Sequence, residues 1–349
     1  SFLWILFSLA KAQHHNYVIM DNLLLNNISL QGKTVVITGG SSGVGRAAAE
    51  AFALEGCNVV IAARGEQALD NTVKLLHNLG AVALAVKTDV SNADEVENLA
   101  EQALQFNGRI DIWINNAGVM ATGKFEDMSA DAIDQVIKTN LLGYIHGAHT
   151  VLPIFKKQSD GILINNISIG GWVPTPFGTA YSASKYGIRG MVEALQGEIT
   201  DFPNIHVCAL YPGMQKSTGN SHSAKYSGLD FKVPPGASDP RDLAQMMVKR
   251  AKNPKVHTLP DFSAFMMKNF YKVFPKLFTS LSFGAVKMMM KPEKNKDTNG
   301  NIFVPSSGEA KIYGPTVLPK ITKQTKIITA GALVVGAAII LLNNKNKKS

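Results

Sequence analysis

A chain of 349 residues with a formal net charge of +9 and two cysteines is long enough for two domains, yet a single α/β domain of about 250 residues is routine. Cys57 and Cys208 lie in apolar stretches with neither metal-ligand spacing nor a disulfide framework, so a metal module and a disulfide-stapled domain are excluded and both thiols are expected to be reduced core residues. From Asp261 onward there are fourteen Lys, no Arg and four acids, a balance of +10; the basicity belongs to the tail, and no nucleic-acid partner is expected.

The first 29 residues read as an N-terminal extension outside the fold. Residues 1–10 are apolar and Ala10-Lys11-Ala12 mimics a signal-peptidase site, but no basic segment precedes them, and Met20-Asp21-Asn22 has the look of a more natural start. Residues 33–37, a short β-branched run, predict a buried strand that empties into Thr38-Gly39-Gly40-Ser41-Ser42-Gly43-Val44-Gly45. An Ala-rich helical pattern follows at 46–54. Strand, glycine-rich turn and helix N-terminus make a dinucleotide site: glycines let backbone approach a pyrophosphate, and the helix end offers unpaired N–H groups. Gly39, Ser41, Ser42, Gly43, Val44 and Gly45 are the residues expected to face it.

The alternation continues with strands at 58–63, 82–87 and 110–114 and helices at 66–79 and 93–106. It predicts an α/β Rossmann-type fold, one doubly wound parallel sheet with helices on both faces, over residues 30–260. The second strand ends Ile61-Ala62-Ala63-Arg64 with no acid. A carboxylate there would accept from a ribose 2′-hydroxyl, whereas Arg64 favours a 2′-phosphate, so NADP(H) is expected over NAD(H). Arg46 is either a second positive group or a solvated first-turn side chain. Ser168 ends the run 162–167, which has the look of a central strand. Thirteen residues on come Tyr181 and Lys185, four apart and on one face of a helix.

Thr38 to Gly45, Asn115-Asn116-Ala117-Gly118, Asn140 in Lys138-Thr139-Asn140-Leu141, Ser168 and Tyr181-x-x-x-Lys185 together resemble the short-chain dehydrogenase/reductase family, in the expected order from about residue 30 to 255. The resemblance implies carbonyl–alcohol interconversion by hydride transfer, with Ser168, Tyr181, Lys185 and Asn140 as the catalytic set. Tyr181 would be the acid, since charge builds on the substrate oxygen. A phenol's ordinary pKa of about 10 is too high near neutrality, and Lys185 one turn along would lower it. Lys185 would also bond the nicotinamide ribose, Ser168 would orient the substrate oxygen, and Asn140 would hold a water on a proton path, unless it is a half-buried amide bonded to backbone. Asp89 and Val90 match the adenine position, although Asp89 also reads as a turn cap. Asn116, Ala117 and Gly118 would border the cofactor, with the Asn side chains tying strands together. Pro212-Gly213 would meet the carboxamide; Ser217-Thr218 stand displaced from the Thr that usually follows. A membrane-tethered NADP sensor or scaffold without turnover is the alternative, disfavoured because a pure binder needs no acid.

Beyond residue 260 the composition turns to Phe, Met and Lys. Over 261–290 aromatic and apolar residues recur at helical intervals between lysines, which reads either as a helix packed over the substrate cleft or as a basic amphipathic surface on anionic lipid. Residues 291–326 read as a polar linker. Residues 327–342 contain no charge and at about 1.5 Å each span about 24 Å, short of a bilayer core of about 30 Å; Lys326 and Lys345 can snorkel across the gap. A C-terminal transmembrane anchor with a basic tail at 343–349 is therefore expected, with the catalytic domain in the cytoplasm, a small lipophilic carbonyl or alcohol as substrate, and a homo-oligomer as an open possibility. The loops 170–178 and 214–232 are the expected substrate walls.

Overall fold

The computed structural model describes residues 28–229, 236–288, 290, 296–306 and 311–314. In chain order the elements are β1 (Thr34–Thr38), α1 (Gly43–Leu54), β2 (Asn58–Ala63), α2 (Glu66–Asn78), β3 (Ala83–Lys87), α3 (Ala93–Asn107), β4 (Ile112–Asn115), β5 (Ala121–Thr122), α4 (Ala130–Ile137), α5 (Gly143–Gln158), β6 (Gly161–Asn166), α6 (Thr179–Glu198), β7 (Ile205–Leu210), β8 (Ala224–Lys225), α7 (Pro240–Lys252), β9 (His257–Thr258), α8 (Phe262–Val273) and α9 (Pro275–Lys287). Seven strands form one parallel sheet in the order β3-β2-β1-β4-β6-β7-β9, and β5 pairs with β8 in a small second sheet.

Every residue of β1 is buried, as a strand covered on both faces requires. Val35 and Ile37 enter one core with Phe52 of α1 and Met247 of α7, while Val36 enters the other with Leu99, Val151 and Ile188 of α3, α5 and α6. The period of two thus sends one strand's side chains into two cores. The strand order reverses direction between β1 and β4, and a crevice opens there at the carboxyl ends.

The sequence placed the first helix at residue 46, but it starts at Gly43, inside the glycine turn. Asn140 lies in a π-helical turn, Lys138–Leu142, that joins α4 to α5. The segment 261–290 is two helices, because Pro275 lacks an N–H and opens a new helix at its first position.

The expected linker 291–326 is corrected over its described part. Thr298 and Lys225 exchange two backbone bonds of 2.8 Å, Ile302 is buried, and Ile312 joins the core. Residues 296–306 and 311–314 form a strap lying on the domain. Among the described residues no helix is long and apolar enough to cross a membrane. The expected anchor at 327–342 and residues 1–27 of the expected 1–29 extension lie outside the described residues.

Candidate active site

At the end of β1, Gly39 adopts a positive φ of 68°, and a Cβ there would lie 2.9 Å from the Ala117 Cα. One turn on, a Cβ on Gly45 would sit 2.1 Å from the Gly39 carbonyl oxygen. Both positions are therefore closed to side chains and leave backbone facing the crevice. Thr38 and Asn116 hold it from behind: Asn116 N donates to Thr38 Oγ1 at 3.0 Å and Asn116 Nδ2 to the Thr38 carbonyl at 2.9 Å. Asn166 Nδ2 donates to Asn116 Oδ1 at 2.9 Å, and Asn115 Nδ2 to Asn165 Oδ1 at 3.0 Å. The Asn side chains thus lace β1, β4 and β6 together.

A cavity of about 550 Å³ runs from this turn to α9; Gly39, Arg64, Ser168, Tyr181, Lys185 and Phe278 all line it. Ser168 leaves β6 with φ 119° and ψ 155°, a region that only glycine enters readily, so strain is stored at this residue. Bonds on either side fix it: Ile167 N donates to the Leu210 carbonyl at 2.9 Å and Ile169 N to the Pro212 carbonyl at 2.8 Å. Its hydroxyl accepts from Gly170 N at 3.0 Å and acts on the Tyr181 phenol, whose pKa it lowers.

Tyr181 and Lys185 project from α6 into the same space. Lys185 Nζ is 5.4 Å from the Tyr181 ring centre and 5.1 Å from that of Tyr144. Burial is the dominant force on both groups. It pushes the Lys185 ammonium down to about 7 and the Tyr181 phenol above its ordinary value, with the Ser168 hydroxyl pulling the phenol partly back. The expected lowering of Tyr181 by Lys185 is not what governs the phenol here, because burial of the phenol itself is the largest influence on it.

Asn140 is fully buried: Oδ1 accepts from Val119 N at 2.8 Å, and Nδ2 donates to the Val119 carbonyl at 2.9 Å and to Ser184 Oγ at 3.3 Å. Its amide is bonded to backbone and clamps the turn 116–119. That turn brings Gly118 close to it, since a Cβ on Gly118 would lie 3.3 Å from Asn140 Oδ1 and 3.8 Å from Lys185 Nζ.

Arg64 stands at the opposite end of the cavity and meets the strap. Its Nη1 donates to the carbonyls of Ile302 at 3.1 Å and Phe303 at 3.4 Å, and its Nη2 to that of Asn301. Asp89 Oδ2 is 4.0 Å from Nη1, while Asp89 Oδ1 caps its own turn, accepting from Ser91 N and Oγ at 3.0 and 2.7 Å. Val90 lines the cavity, and its carbonyl pairs with His146 Nδ1 at 2.9 Å.

Near Tyr181, Gly213 N donates to Asp261 Oδ2 at 2.8 Å, which locks the Pro212-Gly213 turn to the start of α8. Thr218 is not at that turn: a Cβ on Gly43 would lie 3.2 Å from its Oγ1, so it borders the glycine turn. Of the expected walls, Val173 to Pro176 and most of the stretch from Met214 to His222 line the cavity; so does the inner face of α8 and α9, in the segment read either as a helix over the cleft or as a lipid surface, although Met267, Ser282 and Val286 were not picked out. Asp261 and the strap were also missed. The helical interval of apolar residues was the available signal for the two helices; the strap has none.

The arrangement fits a dinucleotide: a backbone cradle that a Cβ would fill, a helix N-terminus facing it, and a cationic fork at the ribose end. Among the described residues no cluster of metal-ligating side chains is found.

A family profile described as short chain dehydrogenase matches residues 33–226. The ketoacyl reductase HetN of Nostoc sp. is 32% identical over 225 residues, 64% of this chain and 77% of that protein. An uncharacterized oxidoreductase of Staphylococcus aureus is 34% identical over 226 residues, 65% of this chain and 94% of that protein. Among solved structures, a short-chain dehydrogenase/reductase from Burkholderia phymatum in complex with NAD is 26% identical with a TM-score of 0.65, covering 72% of this chain and 96% of that one. Actinorhodin polyketide ketoreductase with NADPH is 27% identical with a TM-score of 0.60, over 65% and 95%.

Proposed function

The chain belongs to the short-chain dehydrogenase/reductase family, and from that premise we propose that it is an NADP(H)-dependent oxidoreductase that interconverts a carbonyl and a secondary alcohol of a lipophilic substrate, with Tyr181 as acid and base. That it is an oxidoreductase using a nicotinamide cofactor follows from the family and its solved neighbours. The observation that carries the finer reading is the convergence of Ser168, Tyr181 and Lys185 in one cavity with the glycine turn and Arg64.

The nicotinamide, when bound, supplies or accepts the hydride. The chain's own residues manage the oxygen. Tyr181 keeps its proton at neutral pH because burial raises its pKa, so it stands as a donor toward a carbonyl oxygen gaining charge. Ser168, fixed by its strained backbone and lining the same cavity as Tyr181, offers a second hydroxyl to the same oxygen. Lys185, with a pKa near 7, exchanges its proton readily near neutrality and is placed to reload the phenol. The apolar inner faces of α8 and α9 favour a substrate with hydrocarbon beside its carbonyl.

The NADP(H) preference rests on Arg64. Asp89 opposes it only at 4.0 Å, and no acid ends β2. A panel of lipophilic ketones, assayed with NADPH and with NADH, tests the function. Turnover by the wild type and a loss of about 10²–10⁴-fold in Tyr181→Phe, with NADPH binding retained, is the expected outcome. Near-normal turnover in Tyr181→Phe removes it from the acid role.

A further inference from the structure

The helices α8 and α9 have two faces. Inward, Met267, Phe278, Ser282 and Val286 line the cavity. Outward, Phe262, Phe265, Met266 and Val273 on α8, spaced as a single helical stripe, are 49–65% exposed. Phe274 at the junction and Leu277, Leu281 and Met288 along α9 continue it at 41–74%. Eight of the twenty large hydrophobic residues exposed among the described residues fall within these 27 positions. Scattered exposed apolar side chains are ordinary, but a contiguous stripe marks an interaction surface.

Charge indicates what covers it. Residues 262–288 contain four lysines and no acid. Lys272, Lys276 and Lys287 are exposed, while Lys268 lies over the Trp172 ring at 3.6 Å. A second copy docking through a two-fold axis would bring lysines against lysines with no acid from either helix to offset them. An anionic bilayer meets both requirements, an apolar layer for the stripe and negative headgroups for its lysine flank.

We infer that α8 and α9 form an in-plane docking surface for anionic membrane, whose outer stripe enters the headgroup and acyl boundary while its inner face walls the substrate cavity. The lipid and the cavity that holds Tyr181 then lie on opposite faces of the same two helices. A lipophilic carbonyl reaches the cavity along them without crossing bulk water. That delivery rests on the oxidoreductase reading above, whereas the docking does not.

Site-specific fluorophores on the full chain test it. Cys57 and Cys208 are buried, with thiols pushed up to about 12 and about 11, so cysteines introduced by Phe265→Cys, Leu281→Cys or, as a control on α3, Glu101→Cys take the label selectively. Vesicles of brominated phosphatidylcholine, with or without phosphatidylserine, report contact with acyl chains. The expected result is quenching at 265 and 281 but not 101, stronger with phosphatidylserine and weakened by salt. In the triple variant Lys272→Gln/Lys276→Gln/Lys287→Gln the docking equilibrium that quenching at 265 and 281 reads should weaken about a hundredfold, roughly fivefold for each lysine. Vesicle-bound chain with labels at 265 and 281 unquenched overturns the inference, since the tail alone is then the tether. Unchanged quenching at 265 and 281 in the triple variant overturns it too, as does a doubled mass in light scattering with both labels shielded from lipid.

Discussion

Lys185 couples the protonation of the site to the stability of the chain. Its buried ammonium titrates near 7, against about 10.4 when the chain is unfolded. Between those values the unfolded state binds more protons, so stability rises with pH from about 7 to about 10. Below pH 7 the buried charge is present in full and its destabilising effect is greatest. Denaturant titrations of wild type and Lys185→Met across this window should show the gap in unfolding free energy shift in favour of the wild type as pH rises; a flat gap would mean that Lys185 is hydrated. At the other end of the cavity, Arg64→Asp should reverse the cofactor preference. NADPH affinity should fall roughly tenfold to a hundredfold, the worth of a charged hydrogen bond at about 1.5–3 kcal/mol, while NADH affinity holds or improves. Equal wild-type affinities for both cofactors would remove Arg64 from selection. Arg64, Tyr181 and Lys185 were all visible in the sequence, because strand ends and helical spacing fix where such residues stand. The positive φ of Ser168 was not, because bonds to Leu210 and Pro212, distant in the chain, impose it.

Elements carry the site through their ends. Gly45 in α1 packs against the Gly39 carbonyl at a distance where no Cβ fits. Gly45→Ala should destabilise the fold by about 1–3 kcal/mol through overpacking and abolish cofactor binding, read by thermal unfolding with and without NADPH. A variant stabilised by NADPH as the wild type is would show that the turn tolerates a shift. The strap is held differently, by backbone bonds to Lys225 and His222 and by the Arg64 fork. Gly300 has φ 50°, and a Cβ there would lie 2.3 Å from the His222 carbonyl oxygen, so Gly300→Ala should loosen it. Stopped-flow fluorescence should then show NADPH associating and dissociating faster, since Asn301, Pro305 and Ser306 border the cavity; unchanged rates would place the strap off the exchange route. The sheet and its crossing helices were legible because burial on two faces writes continuous apolar runs and helices write a 3.6 period. A strap without regular structure writes neither. Its polar composition reads as a linker, and only tertiary contacts reveal that Ile302 and Ile312 are core residues.

For the whole molecule, the expectation that the uncharged run at 327–342 anchors the chain concerns residues outside the described ones and has its own test. Alkaline carbonate should leave the full chain in the pellet until detergent is added; release without detergent would rule out an integral anchor, though not peripheral docking through α8 and α9. The strap has a consequence for how the molecule comes into being. Arg64 bonds to carbonyls 237 to 239 positions later, and Gly43 N donates at 2.9 Å to the carbonyl of Lys311. Chains emerge from the ribosome N-terminus first at about 5–20 residues per second, so all seven sheet strands have emerged well before the strap. During that interval of several seconds the nascent domain has its glycine turn and Arg64 open to solvent. Cofactor binding then does not have to wait for the end of translation, and the last residues of the domain close over a crevice already able to hold a dinucleotide.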